Sequence, residues 1–274
     1  MLSGGERAGD LWEYALADGA WRNVRAAGAR PEPRDCHSLV AMRGLLLLIG
    51  GLASTVPRGG AVPSAVAGAG ALMPEPAAPR VGADVADVAA SAFWRFDAED
   101  PAVGPAERRW TELPAPPALS RADACVAADG ARGIVYVHGG RGAGADNRLL
   151  GDLWAWDMLG HPAWTPLSRD DDFADGLSRP ARRVGHSCAL VSGAGGGGRA
   201  LLVYGGVGAG GTPLHDLWRL DPDGRSVWAR VHDAAAEPTA VAPGPQIRRI
   251  DGGGHVSLHV APPLVAMGGR ALRL

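Results

Sequence analysis

Five of the double glycines in this chain divide it into repeated stretches, and four of these five directly follow an apolar run. The pairs are Gly4-Gly5, Gly50-Gly51, Gly139-Gly140, Gly205-Gly206 and Gly268-Gly269. An apolar run on consecutive residues is typical of a strand that is covered on both faces. Glycine at its end permits a bulge or a positive φ where neighbouring chains come close. Self-similarity of this kind predicts a repeat protein.

Two further markers recur around each double glycine. An opening marker precedes the apolar run, as Arg34-Asp-Cys-His37-Ser38, Arg121-Ala-Asp-Ala-Cys125 and Arg183-Val-Gly-His186-Ser187. A tryptophan marker follows the glycines, at Trp12, Trp94, Trp154 and Trp218, with a second tryptophan nine or ten residues later in the three shortest cases. An aspartate three residues after the first tryptophan, at Asp97, Asp157 and Asp221, is suited to start a hairpin turn. The markers delimit four short strand-forming segments per unit, which predicts an all-β fold of four-stranded antiparallel sheets.

These markers resemble those of the kelch-repeat β-propellers, the superfamily of the central domain of galactose oxidase. The shared features are the double glycine after an apolar strand, two aromatics after it, and the opening Arg-x-x-His-Ser. The first aromatic is commonly tyrosine in that family and is tryptophan here. The resemblance implies propeller blades, in which Gly50, Gly51, Gly139, Gly140, Gly205 and Gly206 and the four first tryptophans are structural repeat markers.

On this alignment the chain is a single propeller of about three complete blades and two partial ones. The complete blades are near 34–113, 121–167 and 183–231, and the partial blades are 1–24 and 250–274. A Pro/Ala/Gly-rich insertion over 52–92 is expected to be a disordered loop. Both end stretches carry a double glycine, so we expect a fragment of a longer protein rather than a four-bladed ring with one composite blade.

The composition limits the classes of binding partner and the cellular compartment that we expect. A net charge of −2 gives no general attraction to nucleic acid or to an anionic membrane. Three cysteines are too few for a disulfide scaffold, and we expect Cys36, Cys125 and Cys188 to be buried, inert thiols. A reducing compartment, cytoplasmic or nuclear, is therefore expected.

No catalytic, cofactor or metal site is expected from the motifs. The pairs His37-Ser38 and His186-Ser187 occupy one repeat position, which favours a structural role over nucleophilic catalysis. The eight histidines show no tight cluster that also includes a carboxylate, and the acidic run at 170–175 lacks the spacing of a calcium loop. Tyr14, Tyr136 and Tyr204 each lie at a repeat strand position, so a galactose-oxidase copper site is not expected. The Glu-x-x-x-Asp-x-x-x-His iron motif of plant specifier proteins is absent from the sequence.

The resulting functional hypothesis is a non-catalytic scaffold that binds a protein partner through the loops between strands. Arg141 and Arg148 flank the connection between the second and third segments of one unit, and they are the candidate partner-binding residues. The alternative is an accessory propeller of a larger enzyme or of a ubiquitin-ligase adaptor, whose catalytic or recruiting domain lies outside this chain. A third alternative is an array that does not fold stably by itself.

Overall fold

The computed structural model describes residues 9–53, 93–98, 108–142, 148–169, 178–192, 198–222, 227–232, 264–267 and 270–273. The ordered segments are almost all strands, and they are β1 (Leu11–Ala15), β2 (Ala20–Val24), β3 (Arg34–Asp35), β4 (Ser38–Met42), β5 (Leu45–Ile49), β6 (Leu52–Ala53), β7 (Phe93–Asp97), β8 (Trp110–Glu112), β9 (Arg121–Ala122), β10 (Cys125–Asp129), β11 (Ile134–Gly142), β12 (Leu149–Asp157), β13 (Trp164–Ser168), β14 (Ser187–Ser192), β15 (Arg199–Tyr204), β16 (Leu217–Leu220), β17 (Trp228–His232), β18 (Leu264–Met267) and β19 (Arg270–Arg273). Two single-turn 3-10 helices, Pro117–Leu119 and Ala209–Gly211, lie between them. None of the helices in these ranges has the length and apolar character needed to cross a membrane.

Three antiparallel sheets of the described strands share one strand order. The first sheet is β4-β5-β7-β8, the second is β10-β11-β12-β13 with β9 beside β11, and the third is β14-β15-β16-β17. Each of these sheets follows the chain as a meander, so the prediction of an all-β chain with four antiparallel strands per unit is confirmed. The short strands β3 and β6 pair separately.

A fourth sheet, here called the terminal sheet, combines strands from both ends of the chain in the order β18-β19-β1-β2. Because the second segment of each unit ends in a double glycine, the run before Gly268-Gly269 predicts that Leu264–Met267 is a second segment, equivalent to β5. That placement is wrong, because β18 pairs only with β19 among the described strands, and β19 is the strand that pairs with β1. The end stretches, expected to be separate partial units, thus contribute to a single sheet.

The apolar core lies in layers between consecutive sheets. One layer joins Leu11 of β1 to the first sheet, the next joins the first sheet to the second, and the last joins the second sheet to the third. Tryptophans occupy all three layers, as expected for the wide gap between stacked sheets; their buried members are Trp94 and Trp110, Trp156, and Trp218 and Trp228.

Strand β5 shows why its sequence is apolar at consecutive positions. Leu46 and Leu48 point into the layer shared with β1, whereas Leu47 and Ile49 point into the layer shared with the second sheet. All four side chains are fully buried. Because side chains alternate between the two faces of a strand, a strand with a core on each side has no polar face.

The predicted insertion begins later than expected. Leu52 and Ala53 form β6, which pairs with Asp35 and Arg34. Residues 54–92, the acidic run at 170–175, and the pairs Gly4-Gly5 and Gly268-Gly269 lie outside the described residues. The expectation of a disordered insertion thus stays a prediction.

Candidate functional site

The double glycines lie at the junctions where one sheet meets the next. In each described pair both residues have positive φ, and the second residue is close to 95°: 97° at Gly51, 97° at Gly140 and 92° at Gly206. Gly51 donates its N–H to the carbonyl of Arg121, and Gly140 donates to the carbonyl of Arg183, both at 2.9 Å. A Cβ atom on Gly140 would lie 2.7 Å from the carbonyl oxygen of Ala122, so the close approach requires glycine.

The arginine of the opening marker binds the double glycine of its own sheet. Arg121 donates from Nη1 to the carbonyl of Gly139 at 2.8 Å, and it forms two further bonds to the carboxylate of Asp152, at 2.7 and 2.9 Å. Arg183 repeats this arrangement with Gly205 and Asp216. Both guanidinium groups are almost completely buried. Sequence reasoning missed this pairing, although the Arg of the opening marker and the Asp before Leu-Trp occur together in these units.

The tryptophan marker joins the same network. The indole N–H groups of Trp154 and Trp218 donate to the carboxylates of Asp152 and Asp216, at 2.7 and 2.6 Å. In the first sheet the equivalent position of the sequence is Ala92 instead of an aspartate. Accordingly, the buried indole N–H of Trp94 has no hydrogen-bond partner among the described residues. The opening arginine, the double glycine and the first tryptophan thus belong to one buried polar cluster in each of these two sheets, the second and the third.

A second line of hydrogen bonds runs across the sheets at the third residue of the opening marker. Cys36, Asp123 and Gly185 occupy this position, and each has a left-handed backbone, with φ of 54°, 54° and 61°. Asp123 donates its N–H to the carbonyl of Cys36 at 3.0 Å, and Gly185 donates to the carbonyl of Asp123 at 3.1 Å. This shared conformation sets the direction from which the next residue, His37 or His186, enters the junction.

The His-Ser pairs do not form a nucleophile and its base. The Ser38 hydroxyl donates to the carbonyl of Ala124 at 2.7 Å, and Ser187 is exposed. Both ring nitrogens of His37 are buried without a hydrogen-bond partner among the described residues. Burial, together with the charge of Arg34, lowers the pKa of His37 to about 4, so the ring is neutral at physiological pH. These pairs belong to the contact between sheets.

Two histidines from neighbouring units, His138 and His186, meet in the fold, in a group that includes no carboxylate. Nδ1 of His138 and Nε2 of His186 are 2.9 Å apart, and the rings meet edge to face. Their potential ligand atoms and that of Cys125 all lie within 4.8 Å of one another. All three residues are buried. The cluster could not be seen along the sequence, because His138 ends the apolar run of one unit whereas His186 opens the next unit.

The expectation of three inert thiols is wrong for Cys125 and Cys188. Cys125 of β10 and Cys188 of β14 are bonded as a disulfide, with their Cα atoms 5.7 Å apart. This bond links the second sheet to the third across the cluster. Cys36 is the free cysteine. Burial, reinforced by the charges of Asp123 and Asp35, raises the pKa of the Cys36 thiol to about 12.

Arg141 and Arg148 lie together at one end of the second sheet. Arg141 pairs with Leu149 across β11 and β12, and the carbonyl of Arg148 accepts the N–H of Gly142 at 2.9 Å. The Arg141 guanidinium is about one-third exposed and donates to the carboxylate of Asp123 at 2.6 Å, while Arg148 is exposed. The connection between them, 143–147, lies outside the described residues.

Aspartates also form turns, as the sequence indicated at Asp157. Its carboxylate accepts hydrogen bonds from the backbone N–H groups of Leu159 and Gly160, at 3.0 and 2.8 Å.

No family model matches the chain, and no curated protein matches it.

Proposed function

We propose that this chain is a non-catalytic protein-binding scaffold whose four-stranded sheets are blades of a kelch-type β-propeller. The face-to-face order of the sheets supports this architecture. Contacts join β18 to β4, β4 to β10 and β10 to β14, so the first strand of each sheet neighbours the first strand of the next. Such an order is typical of blades arranged around a common axis.

The observation that carries the proposal is the use of the repeated polar side chains. Arg183, which has no exposed surface, bonds to the carbonyls of Ala181 and Gly205 and to both oxygens of Asp216. Asp216 also accepts the bond from Trp218. The carboxylate of Asp216, a candidate for acid–base chemistry, is therefore committed to bonds within its own unit. We expect recognition to fall to the connections between strands.

We propose that Arg141 and Arg148, which flank one connection between strands, bind the partner. They project from the same end of β11 and β12, and the bond from Arg141 to Asp123 limits the orientations of its guanidinium. An arginine pair of this kind suits a partner that offers carboxylates, because the planar guanidinium can form two parallel bonds to each one.

Affinity capture from the native cell extract, followed by calorimetry with the purified partner, tests the proposal. We expect the double variant Arg141→Glu/Arg148→Glu to lose the partner in capture and to bind it at least about tenfold more weakly, or about 1.4 kcal/mol. The matched control is Arg132→Glu, an exposed arginine in the hairpin between β10 and β11, at the other end of the same sheet. If the double variant captures the same partners with unchanged affinity, this face is not the binding surface.

A further inference from the structure

Four residues with metal-binding side chains meet where the second sheet contacts the third. Cys125 and His138 come from β10 and β11, and they face each other in the register of these strands. His186 and Cys188 come from the opening marker and β14 of the third sheet. The ligand atoms of Cys125, His138 and His186 lie within 4.8 Å of one another, and the sulfur of Cys188 is bonded to that of Cys125.

We propose that the thiol form of this junction is a tetrahedral zinc site, with Cys125, Cys188, His138 and His186 as its ligands. Two cysteines and two histidines make up one of the common ligand sets of structural zinc, in which all four positions are filled by protein. The ligands come in pairs from two sheets, so the bound ion would hold the sheets together as the disulfide does.

The two histidines are prepared for such a role by their surroundings. His138 and His186 are 1% and 7% exposed, and each has a ring nitrogen without a hydrogen-bond partner among the described residues, Nε2 of His138 and Nδ1 of His186. Each ring therefore has a nitrogen available as a metal ligand.

The charge balance of the junction also fits a zinc ion. Two thiolates neutralise Zn²⁺, and a site with no net charge avoids the large cost of burying an isolated ion. The two buried arginines beside the cluster, Arg121 and Arg183, are already paired with Asp152 and Asp216. The ring of His138 further packs edge-on against Trp228, which holds it in place.

Zinc binding and the disulfide exclude each other. A dithiol reductant transfers two electrons and two protons to the Cys125–Cys188 bond, becoming a disulfide itself and leaving two thiols. Zinc then displaces the two thiol protons and binds both sulfurs. Zn–S bonds of about 2.3 Å at tetrahedral angles separate the sulfurs by about 3.8 Å. With the Cα atoms 5.7 Å apart, side-chain rotation can provide this separation.

Cobalt binding to the full chain tests the proposal. The chain is reduced without oxygen, using a phosphine that does not bind the metal, and is then titrated with Co²⁺. We expect one ion per chain, with the absorption of tetrahedral cobalt and a sulfur-to-cobalt charge-transfer band, and displacement by Zn²⁺. The disulfide form should bind none. The variants Cys188→Ser and His186→Gln should lose the tetrahedral spectrum.

The matched control is His37→Gln, since His37 occupies the repeat position of His186 in the first unit. This variant should bind cobalt as the unchanged chain does. Where a ligand variant fails to fold, X-ray absorption of the zinc-loaded, unchanged chain gives the ligand set directly, with two sulfurs and two nitrogens expected. No cobalt binding by the reduced, folded chain would overturn the proposal. So would a spectrum that survives both ligand substitutions, or a zinc shell without sulfur.

Discussion

The guanidinium of Arg183 donates two hydrogen bonds to the carboxylate of Asp216, at 2.6 and 2.9 Å, in a position from which water is excluded. Burial alone would raise the pKa of Asp216, but the bonds from Arg183 and Trp218 hold that pKa below its usual value. The carboxylate is therefore charged, and the pair is a buried ion pair. Such a pair is costly to break because the remaining charge has no water to solvate it.

Replacing Asp216 by alanine should consequently be among the more damaging single changes in the chain. It leaves the charge of Arg183 and the indole N–H of Trp218 buried without their acceptor. We expect a loss of about 3–5 kcal/mol in the free energy of unfolding, measured by urea denaturation. The control Asp18→Ala removes the partner of Arg22 in an exposed pair, together with an exposed turn bond to the Ala20 N–H, and should shift the urea midpoint far less. A midpoint shift for Asp216→Ala no larger than that of the control would contradict the prediction.

Substitution of Gly140 tests the junction itself. Its φ of 97° is unfavourable for any residue with a Cβ, and that atom would lie 2.7 Å from the carbonyl oxygen of Ala122. We expect Gly140→Ala to lower the free energy of unfolding by about 1–3 kcal/mol or more. Gly130→Ala is the control, because a Cβ at Gly130 meets nothing within 4 Å. Equal thermal midpoints for the two variants would argue against the close approach.

The stability of the chain should fall as the pH is lowered through the range in which unfolded histidine takes up a proton. The pKa of His37 is lowered to about 4 in the folded chain, against about 6.5 when unfolded, so the unfolded state binds the extra proton between these values. His37 therefore stabilises the fold above about pH 6.5, and this contribution is lost as the pH approaches 4. The slope expected for one proton is about 1.4 kcal/mol per pH unit.

The check on this pH dependence is the variant His37→Gln, which cannot take up the proton. Between pH 6 and 4.5 its free energy of unfolding should fall less steeply than that of the unchanged chain. The difference in slope should be about 1.4 kcal/mol per pH unit, the value for one proton. Parallel curves for the two proteins would mean that His37 is protonated in the fold as readily as in the unfolded chain.

Cys36 should resist alkylation although it is the free cysteine. Its thiol pKa of about 12 leaves almost no thiolate at pH 8, and the thiolate is the reactive form. We expect iodoacetamide to label the folded chain slowly, and the chain unfolded without a reductant to gain one label, at Cys36, because the other two cysteines are bonded. Mass spectrometry reads both results. In Asp123→Asn, which removes one of the charges that raise this pKa, labelling of the folded chain should be faster.

The repeat could be predicted from the sequence because its markers recur in a fixed order. Positive φ at the double glycines, strands covered on both faces, and the turn at Asp157 each follow from local residue chemistry. The partnership of Arg121 with Asp152 joins residues 31 positions apart, and no local rule specifies it. The meeting of His138 and His186 requires knowing that the end of one apolar run contacts the opening marker of the next unit. The terminal sheet has the composition of the composite blade that the sequence disfavoured, and no local rule predicts it, since β1 and β19 pair across nearly the whole chain.

The hydrogen bond from Gly140 to Arg183 also bears on how the chain comes apart. Gly51 bonds to the second sheet and Gly140 to the third, so each of these sheets is coupled to its nearest neighbour along the chain. In arrays coupled in this way, unfolding begins at a weak boundary and spreads from unit to unit, because the loss of one unit removes contacts that stabilise the adjoining unit. A single substitution at a junction would therefore divide one cooperative transition into two, and hydrogen exchange would show the sheets on either side opening independently.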